Sequence, residues 1–290
     1  MHKFFNYLWK TLLGSLVFVV VLIAGSMLLE LIGLHAPPLP SGADAETASM
    51  IFIAGTPLLV LSLVLLADGL MGWWSARWMI LALFLWVGYG INSVVEGYLF
   101  TNISAVATIE GAAFTILSLL LPSFVTGALV VSLIRSGGWP PLFWEQLQKA
   151  EARHRSWSWL FRLILGVILY PAVYWLFGII IEPLVRDFYA SGVYELTTPG
   201  PLELIVGQLG RGLLFLGISL PVILMWQRNR SSLMLRLGLA LFLVSGGYAM
   251  TTAYWMGWQL RVIHTVEILA GSMVYAAILS LLFAFPDRRI

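Results

Sequence analysis

Residues 12–33 read LLGSLVFVVVLIAGSMLLELIG, an apolar run in which Glu30 is the one charged residue. As a helix, this run is long enough to cross the ~30 Å hydrocarbon core of a bilayer at about 1.5 Å per residue. The whole chain of 290 residues is 60% hydrophobic and 10% charged, and its mean hydropathy is +0.93. Soluble domains are about 45–50% apolar and about 25% charged. The composition therefore excludes a soluble enzyme and predicts an integral membrane protein.

Seven further apolar runs follow the first one. The eight predicted spans cover residues 12–33, 51–68, 78–100, 104–134, 159–181, 202–226, 233–255 and 262–285. Because the runs do not alternate between apolar and polar positions, they indicate helices rather than the strands of a membrane barrel. The fourth run is longer than one crossing requires, so we expect a tilt or a break near Pro122. The sequence thus predicts an all-α membrane protein, an eight-span transmembrane helical bundle.

Basic residues set the expected orientation of the bundle. When the eight spans are threaded through a bilayer, 13 of the 16 Lys and Arg residues fall on one side, with Arg186, Arg211 and Arg261 as the exceptions. Because retained cations mark the cytoplasmic side, we expect both termini in the cytoplasm and the chain in the plasma membrane. The first run is longer than the about 7–15 apolar residues of a signal peptide, so we expect it to be retained.

The longest predicted cytoplasmic connection, residues 136–158, separates a first half, 1–135, from a second half, 159–290. The halves share several residues at similar spacing: Gly14, Glu30 and Gly55 match Gly166, Glu182 and Gly207, and Thr108–Glu110 matches Thr265–Glu267. These matches predict a 4+4 internal repeat. Since four spans return the chain to its starting side, the halves would be parallel and related by an axis along the membrane normal.

The connection itself has the pattern of a short helix at the membrane surface. Gly137, Gly138, Pro140 and Pro141 open it, and Phe143, Leu147 and Ala150 then recur at helical spacing opposite Glu145, Gln148, Lys149 and Arg153. Such an amphipathic helix suits membrane lipids, including anionic lipid at the cytoplasmic face. A linker with no further role would have the same pattern.

Among the polar side chains inside the predicted spans, six in the half of the bilayer away from the cytoplasm are candidate site residues: Asn92, Glu96, Glu110, Arg211, His264 and Glu267. A charged group at the bilayer centre costs about 2.5–3.5 kcal/mol on insertion scales, so such groups require partners or water. We expect Arg211 to pair with Glu110 or Glu267. A carboxylate left without that partner would hold a proton more readily, and His264 could relay it. A purely structural role, in which these groups join helices, is the alternative.

Local signatures of catalysis are missing from the sequence. It contains no Cys, no nucleophile elbow, no zinc-protease motif and no phosphate-binding or dinucleotide-binding loop. The basic residues form no cluster typical of nucleic-acid binding. His264, Glu267, Glu96 and Glu110 could supply metal ligands, but the nearby Arg211 opposes a cation, so we predict no metal site, and the cofactor stays unknown.

Three classes of function remain open. The repeat and the buried charges favour a transporter or permease for a small solute, with a protonatable polar site. A membrane-embedded enzyme acting on a lipid or peptide, with His264 and a carboxylate as acid and base, is the second class. A scaffold or complex subunit without catalysis is the third. The sequence leaves enzymatic activity uncertain and favours its absence.

Overall fold

The computed structural model describes residues 2–40, 42–101, 108–134, 143–153 and 156–284, without the side chains of residues 2, 3, 149–153 and 156. Helices contain 84% of the residues, and the described ranges form no β-strand. Eight helices are long and apolar enough to cross a membrane. The prediction of an all-α protein with eight spans is therefore confirmed.

Nine helices are numbered in chain order. The spans are α1 (His2–Leu31), α2 (Ala45–Ala67), α3 (Trp74–Phe100), α4 (Ile109–Leu133), α6 (Ser156–Ala190), α7 (Pro201–Leu224), α8 (Arg230–Thr252) and α9 (Trp258–Phe283). The short helix α5 (Phe143–Arg153) lies between the fourth and fifth spans and packs on α6 and α7. Its flanks, with Gly137, Gly138, Pro140, Pro141, Arg135 and Arg155, lie outside the described residues.

The two ends of the bundle have different compositions. Residues 68–73 and 225–229 connect spans at what we call the basic end, where Asp68, Arg228 and Arg236 meet. Residues 32–44, 191–200 and 253–257 connect spans at the opposite, loop end. There the hydroxyl of Tyr254 donates to the carbonyl oxygen of Asp44 at 2.9 Å. The N–H of Thr197 donates to the carbonyl of Phe100 at 3.0 Å, which joins the end of α3 to the segment after α6.

Span α4 is interrupted, as the sequence predicts. Its helix stops at Ser118 and resumes at Leu120. The break lies at Leu119, one turn before Pro122, because proline has no N–H to donate to the carbonyl four residues earlier. Span α6, in contrast, continues for 35 residues through Pro171 and Pro183.

Spans α3 and α8 each contain a wider, π-helical segment, Trp86–Ile91 in α3 and Leu243–Gly247 in α8. A Cβ added to Gly88 would lie 2.8 Å from Val244, so glycine allows these two segments to approach closely. Single π-helical turns are rare and frequent at functional sites, because the extra residue displaces backbone groups from the regular ladder. Sequence periodicity did not predict either segment.

Arginines at the basic end cap the carboxyl ends of the spans. Arg77 donates to the carbonyls of Ala67 and Ile134 at 3.0 and 2.7 Å, so that this one side chain caps the carboxyl ends of both α2 and α4. Arg230 donates to Ser280 and Leu281 near the end of α9, and Arg236 donates to Leu65. The last carbonyls of a helix lack partners within it and carry partial negative charge, so arginines stabilise this end.

Apolar packing fills the bundle toward the basic end. Fully buried side chains from α2, α3, α7 and α8 form one cluster there, which includes Leu63, Leu66, Leu81, Val222 and Leu237. The connections 68–73 and 225–229 cover this cluster. The N–H of Met71 donates to the carbonyl of Met225 at 2.9 Å, and the N–H of Gln227 donates to that of Gly69 at 3.1 Å.

Gly212 lies where α7 packs closely on α6. A Cβ added there would meet the carbonyl oxygen of Val167, which lies on α6. We expect Gly212→Ala to force α6 and α7 apart and to lower the free energy of unfolding by about 1–3 kcal/mol. Gly217 lies on the same helix with nothing within 4 Å of an added Cβ, so Gly217→Ala is the control. Equal stability of both variants in detergent unfolding would contradict the expectation.

The ion pairs of Asp68 should make the free energy of unfolding depend on pH. Partial burial alone would raise the pKa of Asp68, but hydrogen bonds from Tyr7 and Arg236 and the charges of Arg228 and Arg236 together lower it. Stability from this carboxylate is complete above its unfolded pKa of about 3.9 and is lost as the pH falls through the lower folded pKa. We expect Asp68→Asn to destabilise the protein at pH 7 and the deficit to shrink in acid. Unfolding in detergent across that pH range is the measurement, and a deficit that stays constant would contradict the expectation.

Candidate functional site

A cavity of about 570 Å³ occupies the bundle toward the loop end. Its walls come from α2, α3 and α6–α9, and the segment Pro37–Pro40 and residues Ala253, Trp255 and Met256 border it at the loop end. The apolar cluster of the basic end lies beyond its floor. Pockets for small molecules have this size and are mostly apolar with a few polar groups. The position of those polar groups therefore decides what the cavity can bind.

Arg211 holds the first charged pair. It lies on α7, is 3% exposed, and its Nη2 forms a salt bridge with the Glu96 carboxylate of α3. Its Nε donates to Asn92 Oδ1 at 2.9 Å, and its Nη1 lies 3.4 Å from Gln208 Oε1. Each of the three guanidinium nitrogens thus has a polar partner. A guanidinium that is paired with a carboxylate and hydrogen-bonded in this way is the form in which a buried charge is tolerated.

Aromatic rings complete the surroundings of this guanidinium. Its central carbon lies 5.4 Å from the Tyr170 ring centroid and 5.9 Å from that of Phe215. Both distances are within the range of cation–π attraction. Glu96, in contrast, keeps 29% of its side chain exposed and lines the cavity. The carboxylate of this pair is therefore the member with the larger accessible surface.

The π-helical segments position this pair. Asn92 directly follows the segment of α3, and its Nδ2 donates at 3.3 Å to the carbonyl of Ser245, which lies inside the segment of α8. The wider turn at Ser245 leaves its carbonyl oxygen free to accept from a side chain of another helix. One hydrogen-bonded chain thus joins α8, α3 and α7 through Ser245, Asn92 and Arg211.

His264 and Glu267 form the second pair, one turn apart on α9. His264 Nδ1 lies 2.7 Å from Glu267 Oε2, and His264 Nε2 lies 3.4 Å from the hydroxyl of Tyr189 on α6. With a neutral imidazole, Nδ1–H donates to the carboxylate and Nε2 accepts from the hydroxyl. This order of hydroxyl, imidazole and carboxylate can receive or pass on a proton.

The structure brings five of the six sequence-predicted residues together and leaves Glu110 elsewhere. Glu96, Arg211, His264 and Glu267 line the cavity, and Asn92 lies behind Arg211. Glu110 instead accepts a hydrogen bond from the N–H of His35 at 3.3 Å at the loop end. The expected pairing of Arg211 with Glu110 or Glu267 is therefore wrong, since its carboxylate partner is Glu96. Helix α4 begins at Ile109 with Thr108 as its cap, so Glu110 lies in the first turn rather than deep in the span.

Sequence reasoning missed the tyrosines and Gln208. Tyr170 and Tyr174 lie one turn apart on α6 and face the cavity, as does Tyr189, the last residue but one of that helix. Their spacing was a readable signal, but Tyr is common at membrane interfaces, so it did not stand out. Gln208, three residues before Arg211, shares its helical face and would have been found by the same spacing rule.

Comparisons with known proteins add no functional assignment. No family model, curated protein or solved structure matches the chain. Within the described residues, no group of three His, Cys, Asp or Glu side chains converges as a metal site. The function must therefore be inferred from the cavity and its charged pairs.

The Arg211–Glu96 pair can be tested by a double-mutant cycle. We expect Arg211→Met to lower the free energy of unfolding by about 3–5 kcal/mol, because it leaves a carboxylate unpaired inside the bundle. Adding Glu96→Leu should restore part of this loss, since the unpaired charge is then removed. Arg186→Met is the control, because its pair with Glu182 is largely exposed and worth about 0–1 kcal/mol. Equal losses for Arg186→Met and Arg211→Met would contradict a buried, essential pair.

Proposed function

We propose that this protein is a permease that moves a small solute across the membrane through the cavity, coupled to proton exchange at His264 and Glu267. The observation that carries the proposal is the convergence of Glu96, Arg211, His264 and Glu267 on one cavity inside the bundle. These four residues come from both halves of the chain. Ionisable groups within a membrane mark solute pathways and proton relays, because they are costly to retain otherwise.

The unequal ends of the bundle support movement by alternating access. The cavity lies toward the loop end, while buried apolar side chains close the path toward the basic end. A permease in a one-sided state has this arrangement, with the solute site near the boundary between an open and a packed region.

A 4+4 parallel repeat is part of this proposal. The starts of α2 and α7 lie 156 residues apart, and so do those of α3 and α8. Residues 71 and 227, and residues 69 and 225, are also 156 positions apart. The hydrogen bond from the N–H of Met71 to the carbonyl of Met225 therefore has an equivalent in the one from the N–H of Gln227 to the carbonyl of Gly69. The π-helical segments also correspond, and Gly14 packs on Val60 as Gly166 packs on Leu216. An approximate two-fold axis between residues 70 and 226 would account for all of these features.

The proposed orientation follows from the charges. The basic end would face the cytoplasm of a plasma-membrane protein, with both termini on that side. Helix α5 presents Trp144, Glu145 and Gln148 outward and packs Phe143 on the core, which is compatible with a position at the lipid surface. Anionic lipid would be its partner there.

The array of Tyr189, His264 and Glu267 favours a second candidate, a membrane-embedded enzyme. A hydroxyl, an imidazole and a carboxylate in this order are the components of an activated nucleophile. Such an enzyme would chemically change a lipid or peptide that enters the cavity, whereas a permease returns its solute unchanged. Recovery of the solute after the experiment below distinguishes the two.

Proton flux into proteoliposomes tests the permease. Vesicles loaded with a pH-sensitive dye are offered amines, carboxylic acids and sugars in turn, and we expect at least one class to drive proton movement. Glu267→Gln and His264→Gln should each reduce this flux by about tenfold or more, equivalent to ~1.4 kcal/mol of coupling. Glu182→Gln, which alters an exposed carboxylate, is the matched control. Absence of solute-driven flux, or flux that survives both substitutions, would contradict the proposal.

A further inference from the structure

The charge of the cavity wall restricts the solute. Among the described residues that line the cavity, Glu96, Arg211, His264 and Glu267 can carry charge at neutral pH. Arg211 and Glu96 neutralise each other. With a neutral imidazole, Glu267 therefore leaves the wall with one net negative charge. A solute of opposite sign would balance this charge without leaving a carboxylate uncompensated in a low-dielectric site.

An anionic solute would find the arginine of this wall already paired with Glu96, with its side chain only 4% exposed. The nitrogens of Arg211 are directed at Asn92, Gln208 and Glu96, and its faces lie near Tyr170 and Phe215. An anion would have to displace Glu96 from this pair and would leave that carboxylate buried without a partner. This displacement gains little binding free energy, because the cost of leaving Glu96 unpaired offsets the attraction between the anion and Arg211.

Aromatic faces provide the complementary attraction for a cation. Ten aromatic side chains line the cavity, five of which are the tyrosines Tyr89, Tyr170, Tyr174, Tyr189 and Tyr275. Organic ammonium ions bind well between aromatic faces, where the ring quadrupole replaces part of their hydration. The apolar remainder of the wall suits the hydrocarbon substituents of such an ion.

We propose that the solute is an organic ammonium ion with apolar substituents, held by Glu267 and the tyrosine faces and released when His264 takes up a proton. This inference rests on the proposed permease and adds its substrate class. Protonation of His264 gives Glu267 an internal cation at 2.7 Å. The solute and the proton then compete for one negative charge, which is the exchange that couples the two movements.

The groups that face His264 are consistent with this competition. The titratable and charged groups that share the cavity wall with His264 are Glu267 and Tyr275 on its own helix, Tyr170, Tyr174 and Tyr189 on α6, Tyr89 and Glu96 on α3, and Arg211 on α7. The tyrosines are neutral near pH 7. Since Arg211 and Glu96 balance each other, protonation of the imidazole beside Glu267 is the change that would cancel the net charge of the wall.

Equilibrium binding to the purified, detergent-solubilised protein tests the inference. The probes are radiolabelled benzyltrimethylammonium and the anionic phenylmethanesulfonate, each offered at about pH 8.5 and at about pH 5.5. We expect the ammonium ion to bind at the higher pH and about tenfold more weakly at the lower one, and the sulfonate to bind at neither. Binding of the sulfonate alone, or of neither probe, would overturn the inference.

Two variants separate the roles of the pair. Glu267→Gln should weaken ammonium binding at the higher pH by about tenfold or more, whereas His264→Gln should retain binding and abolish its pH dependence. Glu182→Gln should behave as the unchanged protein does. If Glu267→Gln binds the ammonium ion as tightly as the unchanged protein, the inference is overturned. If ammonium binding to His264→Gln still weakens at the lower pH, the inference is also overturned, and this second result does not require Glu267→Gln to fold.

The binding and flux experiments can contradict the substrate inference and the permease proposal independently. If the ammonium ion binds with the expected pH dependence but proteoliposomes carry no solute-driven proton flux, the substrate inference stands and the permease does not. If another class of solute drives proton flux while the ammonium ion does not bind, the permease stands and the inference is overturned.

Discussion

The buried guanidinium of Arg211 constrains the rest of the structure. A charge inside a membrane bundle is tolerated only when its donors are bonded, and the partners here come from different helices. Glu96 and Asn92 are supplied by α3, and Gln208 by α7 itself. Asn92 in turn requires the Ser245 carbonyl, which the widened turn of α8 exposes. The π-helical segments and the polar site are therefore parts of one arrangement: without the altered backbone, Asn92 would lose its acceptor and Arg211 would hold a less fixed partner.

Much of the fold follows from the sequence, because hydrocarbon leaves helices few alternatives. Eight apolar runs correspond to eight helices, and even the break in α4 was predicted from Pro122. The ends of the helices were less predictable. Placing the start of the fourth span at residue 104 moved Glu110 into the membrane, whereas the Thr108 cap puts it at the surface. The same error made Glu110 and Glu267 look equivalent, although one lies in the first turn of its helix and the other is ten residues into α9.

The composition of the site was easier to predict than its pairing. Scarce ionisable residues in apolar runs identify a polar site by themselves, since each costs free energy to insert. Which carboxylate meets which cation depends on helix rotation, and apolar periodicity does not determine rotation in a bundle that lipid surrounds on most sides. A one-turn relation between Asn92 and Glu96 was visible in the sequence. Only the packing of α3 on α7 shows that this face meets Arg211.

Arginines that cap helix ends stabilise the basic end of the bundle. At the basic end, Arg77, Arg230 and Arg236 donate to carbonyls in the last turns of α2, α4 and α9, so cations and helix dipoles hold that end together. Around the cavity, Arg261 donates to the carbonyls of Met250 and Thr251 in the last turn of α8, and Tyr254 and the Pro37–Pro40 segment form the border. The hydrogen bonds between Tyr254 and Asp44 at this border are exposed, and exposed backbone hydrogen bonds are typical of regions that open at low free-energy cost. The proposed permease would therefore open at the loop end, with the arginine-capped basic end as the fixed part of the bundle.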